Sequence, residues 1–223
     1  VFNNVYNSNI VLSEITGSDI YGIYINSSDN VKIKGVTVLD NNDQILLENS
    51  YSNIIKKTEI LFSRGKGLEI TGGDKNILYN VNITDSLSAE NGLELNSDYN
   101  MITRLISDSS RGIEITGNSN NLSEFEVFSS NDDGIRVLGD NNILRSFSSY
   151  NNVDNGIFLD FTNNNKIVDY MVDNNGRSGV LLKSFNYGIV GNFTSTNNED
   201  YGVSIIGNSM HNSISFGDFR NND

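Results

Sequence analysis

Apolar and polar residues alternate in short stretches that recur along the whole chain. In residues 111–132, Gly112 precedes two aliphatic residues two positions apart, Ile113 and Ile115. A polar turn follows and leads to a second apolar segment. Apolar residues two positions apart indicate a strand with one buried face. The stretch therefore predicts short strands joined by polar corners.

Nine copies of this pattern align on one anchor residue, with spacings of 20 to 25 residues. The anchors are Gly22, Gln44, Gly67, Gly92, Gly112, Gly134, Gly156, Gly179 and Gly202. The residues one and three positions after each anchor are all aliphatic, whereas the residue between them varies. A fixed period near 22 residues means that each unit buries its apolar face on its neighbours.

This period determines the predicted architecture. A coil of about 22 residues is too short to hold a strand, a helix and two loops, and no helical spacing of apolar residues is sustained. Equivalent strands of successive coils are expected to pair in parallel, about 4.8 Å apart. The prediction is an all-β, single-domain, right-handed parallel β-helix (a β-solenoid) of about ten coils, with 22–23 residues per coil, over residues 1–223.

A second recurring position lies eight to ten residues after each anchor and is almost always asparagine. Asparagine tolerates left-handed backbone, and stacked amides can hydrogen-bond from coil to coil. We therefore expect an internal asparagine ladder; the alternative is a row of ligand-binding amides. Its predicted members are Asn30, Asn53, Asn76, Asn100, Asn121, Asn142, Asn165 and Asn212, with Asn9 in the first coil and Gly188 as the exception.

Segments such as NGLELNSDYNMI (91–102), RGIEITGNSNNL (111–122) and DGIRVLGDNNIL (133–144) resemble the right-handed parallel β-helix repeat family. That family includes NosD-type periplasmic proteins, bacterial and archaeal surface proteins, and polysaccharide lyases and hydrolases of the pectin lyase-like fold. The resemblance covers the whole chain but rests on scaffold residues, so it implies the fold and leaves the function open. The catalytic motifs of those enzymes cannot be placed here residue by residue.

Composition and charge exclude several classes of function. The net charge is −13 and the pI is about 4.4, which argues against nucleic acid as a partner. No apolar run is long enough for membrane insertion. The acidic, Asn-, Ser- and Thr-rich surface favours an extracellular or cell-surface location. We interpret the basic residues of the third and fourth coils as solvated corners: Lys56, Lys57, Arg64, Lys66 and Lys75.

The position two residues after the anchor holds the main candidates for chemistry. Glu69, Glu94 and Glu114, followed by Arg136, are expected to lie one above another on an outer face. Stacked carboxylates could bind calcium, the one cofactor considered, or form an acid/base pair of a polysaccharide lyase or glycoside hydrolase. The alternative is a solvated charged stripe that Arg136 relieves at one end, and the absence of a recognisable catalytic base favours a protein that is not an enzyme.

Other polar and aromatic residues give weaker hypotheses. With no cysteine, the single histidine, His211, excludes a His/Cys metal site, and we expect it to be an exposed corner residue. Asp132 and Asp133 fall on a corner and match no catalytic motif. The outward apolar residues predict a protein interface, packing against a loop, or sugar stacking: Tyr24, Leu46, Phe158 and Leu181.

The leading functional hypothesis is an extracellular structural subunit of a surface layer or filament that self-associates head-to-tail. Unpaired strand edges at uncapped ends are templates for further pairing. The last coil (201–223) would dock on the first (1–20) through Val1, Phe2, Val5, Ile10, Val203, Ile205, Ile214 and Phe216. The uncapped ends are alternatively those of a fragment. The alternative function is a carbohydrate-binding or polysaccharide-cleaving β-helix.

Overall fold

The computed structural model describes residues 1–86, 90–109 and 111–222, so Asp223 of the predicted last coil lies outside it. Every secondary-structure element in these ranges is a strand. In chain order they are β1 (Phe2–Asn3), β2 (Asn9–Val11), β3 (Glu14–Thr16), β4 (Tyr21–Asn26), β5 (Lys32–Lys34), β6 (Thr37–Leu39), β7 (Asp43–Glu48), β8 (Ile54–Leu61), β9 (Leu68–Thr71), β10 (Ile77–Ser86), β11 (Leu93–Asn96), β12 (Met101–Ser109), β13 (Ile113–Ile115), β14 (Asn121–Phe128), β15 (Ile135–Val137), β16 (Ile143–Tyr150), β17 (Ile157–Asp160), β18 (Lys166–Asp173), β19 (Val180–Lys183), β20 (Ile189–Thr196), β21 (Val203–Ile206) and β22 (Ser213–Arg220).

The strands form two parallel sheets that run the length of the stack. Sheet A has ten strands in the order β1-β4-β7-β9-β11-β13-β15-β17-β19-β21. Sheet B follows the path β2-β5-β8-β10-β12-β14-β16-β18-β20-β22, and β3 and β6 join it at its first coils. Each strand pairs with the equivalent strand of the next coil, so the predicted parallel β-helix is confirmed. Among the described residues, no helix has the length and apolar character needed to cross a bilayer.

The core is built from the aliphatic pairs of sheet A and the inward residues of sheet B. In the first eight copies of the repeat, the residues one and three positions after the anchor are at most 1% exposed. The last pair differs: Val203 is partly buried and Ile205 is 48% exposed. Since each coil is covered by the coils on its two sides, residues of the end coil lose half of this cover.

Left-handed backbone residues turn the chain at four corners of a regular coil. In the coil that starts at sheet A strand β17, they are Phe161, Asn164, Asp169 and Asn174, with φ between 53° and 57°. The next coil repeats them at Ser184, Tyr187, Asn192 and Asn197. Asparagine and glycine adopt this conformation at low cost, which explains much of the asparagine content.

An asparagine ladder crosses the corner between sheet A and sheet B. The backbone N–H of Asn53 donates to Oδ1 of Asn76 (2.9 Å), and Asn76 N–H donates to Asn100 Oδ1 (2.8 Å). The same bond recurs from Asn142 to Asn165 at 2.6 Å. These side chains are at most 1% exposed. They satisfy corner N–H groups that water cannot reach.

Two predicted members of the ladder were wrong. Oδ1 of Asn120, rather than that of Asn121, accepts the Asn100 N–H (2.8 Å). The Asn120 N–H in turn donates to Oδ1 of Asn142 (2.8 Å). Asn121 is instead the first residue of β14, in register with Met101. At the earlier coil, Val31 occupies the ladder position and Asn30 is exposed. The period of the anchors varies, and a slip of one residue turns a side chain to the opposite face.

The ladder also departs from the prediction at Asn9, whereas Gly188 is the exception that was predicted. In the first coil, Ser8 rather than Asn9 holds the ladder position just before sheet B. Its carbonyl accepts the Lys32 N–H (2.8 Å), which places it in register with Val31 of the next coil. At Gly188, the ring of the fully buried Phe185 fills the amide's place. A Cβ on Gly188 would lie 1.8 Å from Phe185 Cζ, so glycine is required there. The ladder resumes as Gly188 N–H donates to Asn212 Oδ1 (2.9 Å).

A second asparagine ladder, which the anchor spacing did not predict, crosses the corner that leads back to sheet A. Asn152 N–H donates to Asn175 Oδ1, and Asn175 N–H donates to Asn198 Oδ1, both at 3.2 Å. Asn198 N–H continues to Asn222 (3.1 Å). The available signal was an asparagine four residues before each of the anchors Gly156, Gly179 and Gly202.

Candidate functional site

The predicted carboxylate column lies on the outer face of sheet A. Glu69 pairs in register with Glu94, Glu94 with Glu114, and Glu114 with Arg136, in the adjacent strands β9, β11, β13 and β15. We refer to these four residues as the charged strip. Parallel in-register pairing places equivalent side chains about 4.8 Å apart.

Basic groups neutralise the charged strip. Nζ of Lys66 lies 3.0 Å from Oε2 of Glu69 and 2.8 Å from Oε2 of Glu94. Lys66 is therefore not a solvated corner residue, because its ammonium sits between two carboxylates and is only 24% exposed. At the other end, Arg136 lies 3.8 Å from Glu114 and 5.8 Å from the ring centre of Phe158. The place that a cation would take between Glu69 and Glu94 is occupied by Lys66.

The pKa values of this cluster move away from those that proton transfer needs. Burial alone would lower the pKa of Lys66, but its hydrogen bonds to Glu94 and Glu69 raise that pKa overall. Burial likewise opposes ionisation of Glu94, yet bonds from Lys66, Asn96 and Asn91 lower its pKa overall. A general acid needs a raised carboxyl pKa and a lysine base a lowered one. The pKa values of Glu94 and Lys66 both shift in the opposite direction.

Three carboxylates meet at the corner before sheet A. Those of Asp132, Asp133 and Asp154 have oxygens within 4.8 Å of one another. Asp133 is buried, and burial is the main cause that raises its pKa to about 6. Its Oδ1 accepts the backbone and side-chain N–H groups of Asn155, at 3.1 and 2.8 Å. Arg177 pairs with Asp154 at 3.2 Å. Asp133 is thus part of the corner hydrogen bonding.

The remaining predicted candidates lie at three separate places: His211, the pair Tyr24 and Leu46, and the pair Phe158 and Leu181. His211 is exposed and stacks on Tyr187, with 4.9 Å between ring centres. Of the outward apolar residues, Leu46 is 7% exposed, and the Tyr24 hydroxyl donates to Glu48. Phe158 and Leu181 are neighbours in register on sheet A.

A long groove runs along sheet B, and the sequence pattern did not predict it. The strands β12, β14, β16, β18, β20 and β22 each bend at a left-handed residue. These residues form one wall of the groove: Arg104, Glu124, Ser146, Asp169, Asn192 and Phe216. The residues two positions later form the other wall: Ile106, Glu126, Ser148, Met171, Thr194 and Asp218. We call this volume of about 920 Å³ the bend groove.

The bend groove continues towards the N-terminal coils. A second concavity of about 660 Å³ shares Asn80, Arg104 and Ile106 with it and extends past Lys57. The combined groove follows the axis of the helix, so each coil contributes one or two wall side chains about every 4.8 Å. Such a shape suits an extended chain rather than a compact ligand.

Aromatic residues one position after the bend form the floor of the groove. Phe125, Phe147, Tyr170 and Phe193 stack in that order, with ring centres 4.5 to 5.2 Å apart and ring planes within 12° of parallel. Neighbours therefore cover both faces of Phe147 and of Tyr170. The rings are only 3–6% exposed and can present only their edges to the groove. A sugar cannot stack on them face to face, but the floor is apolar. The signal in the sequence was an aromatic residue recurring every 22 or 23 positions.

The walls of the bend groove are acidic. Of its lining residues, Glu124, Glu126, Asp169 and Asp218 carry carboxylates, and Arg104 is the one cation. Arg104 Nε lies 2.9 Å from Glu124 Oε2, and Nη1 donates to the Tyr79 hydroxyl at 2.6 Å.

In the central part of the bend groove, the carboxylates of Glu126 and Asp169 accept hydrogen bonds from uncharged side chains. The Tyr150 hydroxyl donates to Glu126, and the Asn192 amide donates to Asp169, both at 2.5 Å. Glu126 and Asp169 have no ion-pair partner among the residues that the structure describes.

Comparison with solved structures finds the same architecture in larger proteins. The A-module of the Azotobacter vinelandii mannuronan C-5 epimerase AlgE6 aligns with a TM-score of 0.74 at 10% identity, over 92% of this chain and 64% of that one. The enzymatically active domain of the bacteriophage CBA120 tailspike protein 2 aligns with a TM-score of 0.74 at 12% identity, over 94% and 44%. The periplasmic alginate epimerase AlgG aligns with a TM-score of 0.64 at 18% identity, over 95% and 50%.

These alignments show the fold alone, and the chain spans less than two thirds of each of these three proteins. A search of curated protein sequences finds no significant match. A family model described as the right-handed β-helix region matches residues 21–108 and 66–219. Those matches cover most of the sequence and agree with the parallel coils of the structure, so the chain belongs to the right-handed β-helix family.

Proposed function

We propose that this β-helix binds a polysaccharide along the bend groove and does not cleave it. The observation that carries the proposal is the groove itself, which runs along the axis with an apolar floor and hydrogen-bonding walls over six coils. Elongated concave sites with a few convergent polar groups are the default location for a ligand. The fold is shared with alginate epimerases and phage tailspikes, which makes a polysaccharide the first ligand class to test. An extracellular or cell-surface location would give access to it.

The arrangement of charges favours binding over catalysis. The carboxylates of the charged strip are ion-paired, and the pKa of Glu94 is lowered. Among the described residues, the one carboxyl whose pKa is raised towards neutrality is that of Asp133, which is buried in a corner and accepts hydrogen bonds from Asn155. Glycoside hydrolysis needs a protonated carboxyl and a second carboxylate flanking the same bond.

One pair of variants distinguishes the two candidate surfaces. Ser148→Trp fills the bend groove, whereas Thr116→Trp adds the same bulk beside the charged strip on sheet A. We expect an oligosaccharide panel, measured by calorimetry, to contain ligands whose binding Ser148→Trp abolishes and Thr116→Trp preserves. The opposite result would move the site to sheet A, and a wild-type protein that binds no glycan would overturn the proposal.

A separate experiment tests the proposal that the bound polysaccharide is not cleaved. Incubation with pectate, alginate and neutral polysaccharides should release neither new reducing ends nor unsaturated uronides. Release of unsaturated uronides that Glu94→Gln abolishes would assign a lyase activity to the charged strip.

Head-to-tail association is the second candidate function, and exposed apolar residues at the end coils favour it. Ile205, Ile214 and Phe216 are 48%, 39% and 85% exposed, and Val1 at the other end is 87% exposed. Phe2, Val5, Ile10 and Val203 of the predicted interface are partly buried.

Exposing the apolar surface of these end coils to water costs about 25 cal/mol of free energy per Å². In-register stacking would place Asn212 next to Ser8 of the neighbouring subunit, since Ser8 rather than Asn9 holds the ladder position.

Association is tested by light scattering of the protein over a range of concentrations. We expect the apparent mass to rise with concentration, because a heterologous contact does not close on itself. Ile205→Asp should keep the protein monomeric while its circular dichroism is unchanged. A wild-type protein that stays monodisperse and monomeric at high concentration would exclude this candidate.

A further inference from the structure

The centre of the bend groove combines acidic walls, hydroxyl groups and an apolar floor. Around β16, Ser146 and Ser148 face each other across Phe147. Glu126 lies on one wall one coil earlier, and Asp169 lies on the other wall one coil later. The two carboxylates are therefore separated by two coils, or about 10 Å along the axis. Neither has a cationic partner among the described residues, unlike Glu124 and Asp218, which pair with Arg104 and Arg220.

From this arrangement we infer that the bend groove is selective for a glycan that carries protonated amino groups. This inference rests on the proposed function and adds the chemical class of its ligand. Two carboxylates that lack a cationic partner, one on each wall, attract a cationic chain and repel a polyuronate, and the net charge of −13 acts in the same direction. The serine hydroxyls and the Asn192 amide supply hydrogen bonds for ring hydroxyls.

A basic peptide fits the groove less well than a glycan does. The backbone groups of the bent strands are used in the parallel ladders to the coils above and below, so an added strand would find no backbone partners. A glycan has no amide backbone to satisfy and can be held by wall side chains alone.

The test compares three oligosaccharides of equal length: a chitosan oligomer, its fully N-acetylated counterpart and an oligomannuronate. Binding is measured by calorimetry at a pH where the amines are protonated. We expect the chitosan oligomer to bind about tenfold more tightly than the acetylated one and the uronate to bind most weakly. The preference should shrink as salt is added, because both carboxylates are partly exposed to solvent.

The matched variants remove two charges from different places. The double substitution Glu126→Gln and Asp169→Asn keeps oxygen acceptors for Tyr150 and Asn192, and it should reduce chitosan affinity to the level of the acetylated oligomer. The control, Glu199→Gln with Asp200→Asn, changes two exposed corner residues and should leave the preference intact. If both double substitutions lowered chitosan affinity equally, the preference would come from net charge alone, and the inference would be overturned.

The outcomes separate the inference from the proposed function. A protein that binds the neutral or the anionic oligomer as tightly as the cationic one, still in the bend groove, binds glycans but refutes the charge selectivity. A protein that binds none of the three refutes the inference directly, and the wider oligosaccharide panel then decides the proposed function.

Discussion

At the scale of single residues, the asparagine ladder shows how sharply one position is distinguished from the next. Asn100 is 1% exposed, and its Oδ1 accepts the Asn76 N–H while its own N–H donates to Asn120. Asn121, adjacent in sequence to Asn120, has no partner for its Oδ1 among the described residues. The same residue type is therefore structural at one position and dispensable at the next.

This contrast gives a matched prediction. Asn100→Leu should lower the free energy of unfolding by about 1–3 kcal/mol, because it leaves buried N–H groups without acceptors. Asn121→Leu should change that free energy by less than about 0.5 kcal/mol. Urea denaturation of both variants tests this. Equal costs at the two positions would contradict the ladder as drawn.

Asp133 predicts a pH-dependent stability. Its folded pKa of about 6 lies above the ordinary value of 3.8, so the folded state binds the proton more tightly than the unfolded state does. Its contribution to stability is complete below pH 3.8 and is lost as the pH rises through about 6. Above that pH the buried charge is a net cost.

Asp133→Asn should therefore stabilise the protein by about 1–3 kcal/mol at about pH 8 and have little effect at about pH 4. An amide oxygen can still accept the Asn155 N–H groups. The measurement is urea denaturation at both pH values, with Asp132→Asn, a more exposed neighbour, as the control. A substitution that destabilises equally at both would show that the carboxylate is paired more strongly than its burial suggests.

At the scale of elements, the bent strands of sheet B explain where a groove can form. Each bend needs one left-handed residue, and asparagine would meet that need at low cost. Arg104, Glu124 and Phe216 nevertheless occupy it, with φ of 57°, 54° and 54°. Residues in such conformations cost about 1–2 kcal/mol each and concentrate at functional sites. Their side chains line the bend groove, but left-handed residues other than asparagine also occur at corners outside it, such as Phe161 and Tyr187.

The charged strip of sheet A gives the prediction at this scale. Lys66→Met would leave Glu69 and Glu94 without their shared ammonium, and should cost about 1–2 kcal/mol. Two unneutralised carboxylates on adjacent strands are suitable ligands for calcium. We therefore expect added calcium to raise the melting temperature of this variant and not that of the wild type.

The control is Lys183→Met on the same sheet, since Lys183 pairs with the single carboxylate of Asp160 at 3.3 Å and its removal creates no carboxylate pair. A wild-type protein whose melting temperature rises with calcium, in a manner that Glu94→Gln removes, would instead establish the charged strip as a native calcium site.

At the scale of the whole molecule, each strand of the described chain pairs with the equivalent strands of the adjacent coils, so the cores of both sheets are continuous columns. The ends of these columns are the least buried parts of the chain, as the contrast between Leu182, fully buried, and Ile205, 48% exposed, illustrates. The two residues hold equivalent positions in adjacent coils. Their difference arises from stacking alone, which is why the association test is directed at Ile205.

The period of the sequence was enough to determine the coils, their parallel pairing and the buried aliphatic pairs. A repeat of period two within a repeat of about 22 residues leaves few other ways to bury the aliphatic pairs, sixteen of whose eighteen residues are at most 1% exposed. The alignment of the repeats on their anchor residues also predicted that Glu69, Glu94, Glu114 and Arg136 lie one above another in that order. These features depend on spacing along the chain, and spacing is visible in the sequence.

Only the tertiary structure decided the features that depend on the direction of a side chain and on its contacts with residues of the adjacent coil. Whether Asn120 or Asn121 points inward depends on a single left-handed residue before the strand, Ser119 (φ 57°), and sequence spacing does not resolve one residue. The bridging position of Lys66 and the groove above the aromatic stack bring together side chains 20 to 25 residues apart. Their distances follow from how the corners bend, because side-chain direction is set by backbone angles that composition does not specify.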